Sequence, residues 1–560
     1  MRENHRASSL EESERKSLVK SIDQVVMAES DQKYSAFSAF LIFLFPAFGG
    51  LLFGYDIGAT SAVIPQLQDA EYSGVKWHQE VEDSALLQGA ITSVELVGAM
   101  LGCMVCFKVA DDLGRRRGLL VAATLFFCGA VIEYISGDGS YDATTGIGIL
   151  MTGRAVYGFG CGFAMHGAPA YIGEMAPAPI RGMLVSLKEA FIVVGIVLGY
   201  SIGYANSKIE GGWRVTYGIS STAAVVMFVG MYFLPPSCRW LALRGRVSEA
   251  IDSLHFVSPD ADPSEIRALE KMAEDASQAE PSTSLAQDYA MLTSPTVFPA
   301  MVAGVGLVVF QQITGQPSVL YYAVTIFEDV GVDTVASIGI SLFKLVATLI
   351  ATFNVDKYGR KLLLYIGCSL MLVALLILGT AFIFPYKGEG DCNGYESQDS
   401  CPSTCDWDAS CGTGCGDEDD CTCCGATGIG AQKGIILAAL FVYIGGYQVG
   451  YGPIAWLLIS EIFPLKVRGK AVSIAVVTNF FCNAVVSFIF PVELDTIGSA
   501  ATFYIYAAIL AVGIYFVYRY VPETKGFTLE QIEENFLRSS RQVARVGAND
   551  RDKETRVPLL

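Results

Sequence analysis

Among the ionisable residues in apolar surroundings two are placed to meet: Asp56 in GGLLFGYDIG and Arg154 in RAVYGFGCGF. A charge on a lone helix in hydrocarbon costs about 2.5 to 3.5 kcal/mol, so such residues pair with one another or face a water-filled route. Asp56 precedes the end of its predicted helix by about eight residues and Arg154 follows the start of its own by about seven, which puts both about 10 to 12 Å below one face of the membrane. At one depth they can pair. A static pair would only tie the two helices together, whereas a carboxylate that holds a proton and the arginine by turns would couple proton entry to a change of conformation.

A second set of polar residues interrupts an apolar span further along. FQQITGQPSVLYYAV supplies Gln311, Gln312, Thr314 and Gln316, with Tyr321 and Tyr322 one to two turns on. Later spans add Tyr447, Gln448, Tyr451, Trp456, Asn479 and Asn483. Amides carry paired donors and acceptors that match vicinal hydroxyls, and aromatic faces cover the apolar side of a sugar ring. Gln311 and Gln312 are neighbours and cannot both face one cavity ideally, and polar pairs on membrane helices also serve as packing glue. No zinc-spaced Cys/His set, nucleotide loop or nucleophile elbow accompanies them, so neither an enzyme nor a bound metal or cofactor is expected.

A third set is duplicated. Glu174 to Gly182 (EMAPAPIRG) and Glu461 to Gly469 (EIFPLKVRG) share one frame, and Asp111 to Arg116 (DDLGRR) is answered by Asp356 to Lys361 (DKYGRK). Two matches in one order imply an internally duplicated membrane protein. The spacing between frames is longer in the second pair, by approximately the length that the segment after Pro385 inserts.

The elements that position these residues follow from composition. The chain has 560 residues, 52 % of them hydrophobic and 17 % charged. One soluble core cannot use that apolar content, but spans near 20 residues separated by short polar turns fit bilayer helices. Twelve are predicted, the first from about Phe37 to Ile64 and the last from about Ser499 to Tyr520. Lys108 and Arg115 to Arg117 place the first charged turn, and with it the amino terminus, in the cytosol. The chain divides into a cytosolic tail (1–35), a six-helix bundle (36–240), a cytosolic helical linker (241–295), a second six-helix bundle (296–520) and a cytosolic tail (521–560).

The net charge of −18 disfavours nucleic acid as a partner and is concentrated on the non-cytosolic side, chiefly between Glu389 and Asp420. Eight of the fifteen cysteines fall between Cys392 and Cys424, a density that points to a disulfide framework in the loop 385–430; a metal-binding loop is the other reading.

DDLGRR, RAVYGFGCGF, EMAPAPIRG, QQITGQPSVLYY, DKYGRK, GPIAWLLISEIFP and PETKG together resemble the sugar porters of the major facilitator superfamily, over about residues 36 to 536. Within that family the chain looks most like plant and algal proton-coupled xylose- or glucose-type symporters, including the vacuolar glucose transporter group. The resemblance implies an all-α membrane protein of two six-helix bundles around a central site, functional as a monomer and carrying a monosaccharide with a proton. It matches Asp56 to the proton-coupling acid, Arg154 to its partner, Gln311 and Gln312 to the sugar-binding glutamines and Trp456 to a pocket tryptophan. It also implies cytosolic clusters that latch the bundles, in which Arg115, Arg181, Arg360 and Arg468 pair with Glu174, Glu461 and neighbouring acids.

This chain departs from the pattern at several positions. Pro317 replaces the binding asparagine, Glu189 the helix 5 glutamine, Tyr451 a tryptophan and Asn479 a glutamine, while PPSCRWL lacks the acid of the usual PESPRWL. The pocket, with Tyr321 beside it, is sugar-like in outline but is not the standard hexose site. A facilitative sugar or polyol (inositol) uniporter and a non-transporting sugar sensor are the alternatives. The membrane is plasma or vacuolar/endosomal, since the outside of the cell and the lumen of such a compartment are topologically equivalent.

Overall fold

The computed structural model describes residues 34–177, 180–278, 291–294, 297–329, 335–383, 405–407, 424–426, 429–463 and 467–525. The N-terminal half contains α1 (Ala36–Gln68), α2 (Ala85–Leu113), α3 (Arg115–Ser136), α4 (Ala143–Met175), α5 (Arg181–Asn206) and α6 (Gly212–Phe233). Ser35 and Ser84 cap α1 and α2 by accepting from the backbone N–H groups of Ser38 and Leu87, each at 3.2 Å. Gly114, at φ 80°, turns the chain sharply between α2 and α3 in a conformation that favours glycine.

Three short helices, Cys238–Leu243, Val247–Val257 and Pro263–Gln278, follow on the face of the charged turns. The last has one apolar stripe and buries Leu269, as a helix lying on a larger body does. Val257 O accepts from Ser35 N at 2.9 Å, which ties the linker to the start of α1.

The C-terminal half opens with α7, broken into Phe298–Ile313, Gln316–Tyr321 and Ala323–Asp329 around Gly315, whose φ is 86°. Then come α8 (Val335–Tyr358), α9 (Arg360–Ile383) and α10, which is interrupted at Gly450 into Ile429–Val449 and Tyr451–Ile462. The helical stretch Arg468–Tyr520 is kinked at Gly498, giving α11 (468–497) and α12 (499–520). Eleven described stretches are long and apolar enough to cross a membrane, and the last, of 53 residues, is long enough for two crossings joined at its kink. The protein is thus an all-α multi-pass membrane protein of two six-helix bundles. The strand pair Cys405–Trp407 and Cys424–Ala426, antiparallel, lies between α9 and α10.

Glycine lets helices meet backbone to backbone in the N-terminal half. A Cβ at Gly54 would lie 1.8 Å from Ile192 O, and one at Gly195 would lie 2.1 Å from Leu51 O, so α1 and α5 are in direct main-chain contact. The two halves touch on the face opposite the charged turns. There Val324 N donates to Ser61 Oγ (3.2 Å), Tyr322 Oη donates to Thr92 Oγ1 (2.9 Å) and Tyr200 Oη donates to Leu320 O (2.6 Å).

The disulfide expectation is corrected: no disulfide bond is found among the described residues. Cys103, Cys106, Cys128, Cys161, Cys238, Cys368 and Cys482 are all free. They are dispersed over helix faces, where a thiol packs as a small apolar group or bonds locally, as Cys103 Sγ does to Gly162 O at 3.4 Å. The side chains of the eight cysteines from Cys392 to Cys424 lie outside the described residues, as do both chain ends and the middle of the second EIFPLKVRG frame.

Candidate transport site

Asp56 on α1 and Arg154 on α4 are 2 % and 0 % exposed. Arg154 Nη1 and Nη2 donate to Asp56 Oδ1 and Oδ2, both at 3.1 Å, and Nε donates to Ile91 O on α2 at 2.5 Å. The guanidinium carbon also lies 5.2 Å from the ring centroid of Tyr217 on α6. Thr60, one turn after Asp56, donates to Asp56 Oδ2 at 3.4 Å and sits 3.2 Å from Tyr217 Oη. A bidentate, buried guanidinium–carboxylate pair is strong but has only one arrangement that satisfies all its donors. Removing the charge of either partner therefore forces the other to find a new one.

Sequence reasoning misses two residues near the pair: Glu133 on α3 and Tyr217. Both are fully buried, and both lie within electrostatic reach of Arg154. Glu95 on α2 lies there too. The depth arithmetic that joins Asp56 to Arg154 is the signal that could have flagged any further acid inside a span.

Across the bundle interface, the break in α7 places its polar residues together. Gln311 Nε2 donates to Tyr451 O at 2.8 Å, and Gln312 Nε2 donates to Asn479 Oδ1 at 2.5 Å and to Gln311 Oε1 at 3.3 Å. Tyr443 Oη donates to Thr314 O at 2.8 Å, which satisfies backbone that the break releases. Adjacent in sequence, Gln311 and Gln312 thus fix two different neighbours, α10 and α11.

Around this break, four buried atoms have no hydrogen-bond partner among the described residues: Gln312 Oε1, Gln316 Nε2, Ser318 Oγ and Tyr321 Oη. Buried polar atoms are ordinarily satisfied, so a cluster of them marks where a polar ligand or water binds. Trp456 is partly buried on α10. Glu189 on α5 is partly buried and lies within electrostatic reach of Lys344 on α8, whose ammonium is 5.7 Å from the Tyr447 ring centroid. Pro317, in the first turn of Gln316–Tyr321, donates no hydrogen bond.

On the face of the charged turns, each half closes its own cluster. Arg115 Nε donates to Glu174 Oε1 at 2.9 Å, Arg115 Nη1 to Asp111 Oδ1 at 3.0 Å, and Ser237 Oγ to Glu174 Oε2. Arg360 Nη2 donates to Glu461 Oε1 at 2.9 Å, and Thr524 Oγ1 to Glu461 Oε2 at 2.6 Å. The other two arginines do not join these pairs. Arg181 donates to Ala176 O at 3.1 and 3.2 Å, and Arg468 to Phe463 O at 3.1 Å, each closing the turn it stands in.

Glu523 completes the second cluster. Its carboxylate accepts from the backbone N–H groups of Arg360 and Lys361, each at 3.1 Å, and so caps α9. Burial pushes the Glu523 carboxyl up, but the N–H groups of Lys525, Arg360, Lys361 and Thr524 together hold it below its usual range.

The chain is similar to known proteins over most of its length. The family model "Sugar (and other) transporter" matches residues 42–395 and 409–536. The D-xylose-proton symporter-like 2 of Arabidopsis thaliana is 39 % identical over 526 residues, covering 90 % of this chain and 92 % of that protein. The chloroplastic D-xylose-proton symporter-like 3 of the same plant is 38 % identical over 528 residues, covering 91 % and 85 %. The inward-open conformation of the xylose transporter XylE from E. coli superposes with a TM-score of 0.69 at 26 % identity, covering 89 % of this chain and 99 % of that one.

Proposed function

The chain belongs to the sugar (and other) transporter family, and from that premise we propose that it carries a monosaccharide of the xylose, glucose or galactose type across a membrane together with a proton, by alternating access. The observation that carries this reading is the buried Asp56–Arg154 pair, in one half, facing a broken helix with unpartnered polar atoms in the other. Protonation of Asp56 removes the charge that holds Arg154, so the pair separates and the N-terminal half relaxes. The α7 amides meanwhile bind sugar hydroxyls, and the half-helix Gln316–Tyr321 moves with the ligand. Both events bias the same equilibrium between halves, which is the condition for coupling.

Gln311, Gln312, Asn479, Tyr321, Tyr451, Trp456 and Glu189 form the sugar site in this reading. The clusters around Glu174 and Glu461, with Arg115, Arg360, Arg181 and Arg468, form the cytosolic gate. The halves joined on the opposite face, and the Arg115–Glu174 and Arg360–Glu461 pairs closed within each half, support an inward-facing reading. The protein resides in the plasma membrane or in a vacuolar or endosomal membrane, which imaging of a fluorescent fusion decides.

The test is uptake of labelled sugar into proteoliposomes with and without an imposed pH gradient. Wild-type protein is expected to accumulate sugar only with the gradient. Asp56→Asn is expected to bind and exchange sugar without accumulating it. Gradient-driven accumulation by the variant equal to wild type would remove the coupling assignment. The second reading is a facilitative sugar or polyol (inositol) uniporter, for which Glu189, within electrostatic reach of Lys344, would accept from hydroxyls near Pro317, which donates no hydrogen bond. Competition by xylose, glucose, galactose and inositol separates the two.

A further inference from the structure

Three carboxyls share one arginine. Glu95 and Glu133 are 0 % and 1 % exposed, and neither oxygen of Glu95 nor Oε1 of Glu133 has a hydrogen-bond partner among the described residues. Both are packed hard against the helix that carries Arg154. A Cβ at Gly153, the residue before Arg154, would lie 2.8 Å from Glu133 Cγ; one at Gly158, a turn after it, would lie 1.9 Å from Glu95 O. Ile91, one turn before Glu95, gives its carbonyl to Arg154 Nε. The charged and titratable groups facing Glu95 are Asp56 from α1, Glu133 from α3, Arg154, Tyr157 and Cys161 from α4, and Tyr321 from α7, with the Cys161 thiol outside hydrogen-bonding geometry. Tyr217 from α6 faces Arg154, Asp56 and Glu133.

Asp56 already occupies both terminal nitrogens of Arg154. One cation cannot neutralise three carboxylates in a dry interior, where every uncompensated charge carries a heavy desolvation penalty. Glu95 and Glu133 are therefore held as neutral acids in this state. A separate observation comes from the other half of the molecule. Tyr321 Oη on α7 is fully buried without a partner among the described residues, and it lies within electrostatic reach of Glu95, Asp56 and Arg154. An ionised Glu95 would supply the acceptor that this hydroxyl lacks.

We propose that Glu95, backed by Glu133, is a second proton-holding site beside the Asp56–Arg154 pair, and that Glu95 hands its proton to Asp56 during the cycle while taking over Arg154 and the Tyr321 hydroxyl. The Glu95 Oε–H bond breaks and an Asp56 Oδ–H bond forms, so no net charge is created in the membrane. Arg154 changes counter-ion, and Glu133 keeps its proton, leaving the arginine to answer one carboxylate at a time. Because Tyr321 stands on the half-helix that also carries Gln316, the position of the proton is registered across the bundle interface. The inference rests on the proton-coupled reading above and specifies which residues the proton visits.

The experiment uses Glu95→Gln in proteoliposomes alongside Asp56→Asn. Glutamine mimics a glutamic acid that never loses its proton. If the proposal holds, Glu95→Gln binds sugar as wild type does but loses about tenfold in gradient-driven uptake, a coupling of ordinary size, and shifts the pH dependence of uptake. Tyr321→Phe is expected to shift that pH profile in the same direction. Wild-type uptake and pH profile in Glu95→Gln, with Asp56→Asn still uncoupled, overturns this proposal and leaves the coupling reading intact; accumulation by Asp56→Asn would overturn the coupling reading itself. Should Glu95→Gln fail to fold, infrared difference spectra of the wild-type protein on adding sugar, with Asp56→Asn as the control that lacks the acceptor, decide the matter. A shift in the carbonyl stretch of a protonated carboxyl supports the proposal, and its absence overturns it.

Discussion

In the N-terminal half Arg115 and Ser237 hold Glu174; in the C-terminal half Arg360 and Thr524 hold Glu461. The residue before the hydroxyl differs. Glu523 caps α9 in one half, while the other has Pro236, and no side chain caps α3 at Gly114. The N-terminal half compensates from the linker: Trp240 Nε1 donates to Asp111 O at 2.7 Å, and Arg244 Nη2 donates to Asp112 Oδ1 at 2.5 Å. Duplication kept the ion pair and its hydroxyl but let the support diverge. One half rests on a titratable carboxylate, the other on an indole and an arginine that stay in one charge state.

The comparison breaks at its strongest point if the two ion pairs are unequal. Their side chains are similarly sheltered, at 17 % and 18 % exposure for Arg115 and Glu174 against 11 % and 19 % for Arg360 and Glu461. Glu174→Ala and Glu461→Ala should each cost about 3 kcal/mol, because each leaves an arginine without its counter-ion. Thermal unfolding in detergent measures this, and a cost confined to one half would show that the pairs are not equivalent.

A smaller effect sharpens the contrast in support. Glu523→Gln should cost about 1 kcal/mol at neutral pH after allowance for solvent screening. Since its folded value is depressed below the ordinary 4.5, the contribution is present above that value and is lost as pH falls through the folded one. Stability of wild type and variant should therefore converge in acid, and parallel curves would refute the cap. The smallest effect comes from restoring the missing acid: Pro236→Glu should gain about 0.5 kcal/mol by placing a carboxylate at the start of α3. A loss would mean that the linker already fills the space.

The fold was legible because hydrocarbon demands long apolar helices and a duplicated gene leaves duplicated turns. Asp56 and Arg154 could be brought together by counting residues from the helix ends, since depth is the one coordinate that a spanning helix reveals. Lateral neighbours are different. Glu133 and Tyr217 reach Arg154 through the order in which α3, α4 and α6 pack, and periodicity does not encode that. Arg181 and Arg468 looked like partners for acids because charge is visible in a sequence, but the hydrogen bonds they make are to carbonyls at the start of their own turns. Glu523 was invisible as a cap for a related reason: its acceptors are used by main-chain N–H groups more than 160 residues away.

The main-chain contact between α1 and α5 has a mechanical consequence. With carbonyl oxygens filling the places where side chains would otherwise slide, the helix that bears Asp56 has no slack against its neighbour. A side chain that lets go of its partner in the middle of such a body cannot be absorbed by local creep. It acts instead on a stiff lever whose arm is a helix of 33 residues, about 50 Å long. Displacements of a fraction of an ångström at the centre are thereby magnified at the ends.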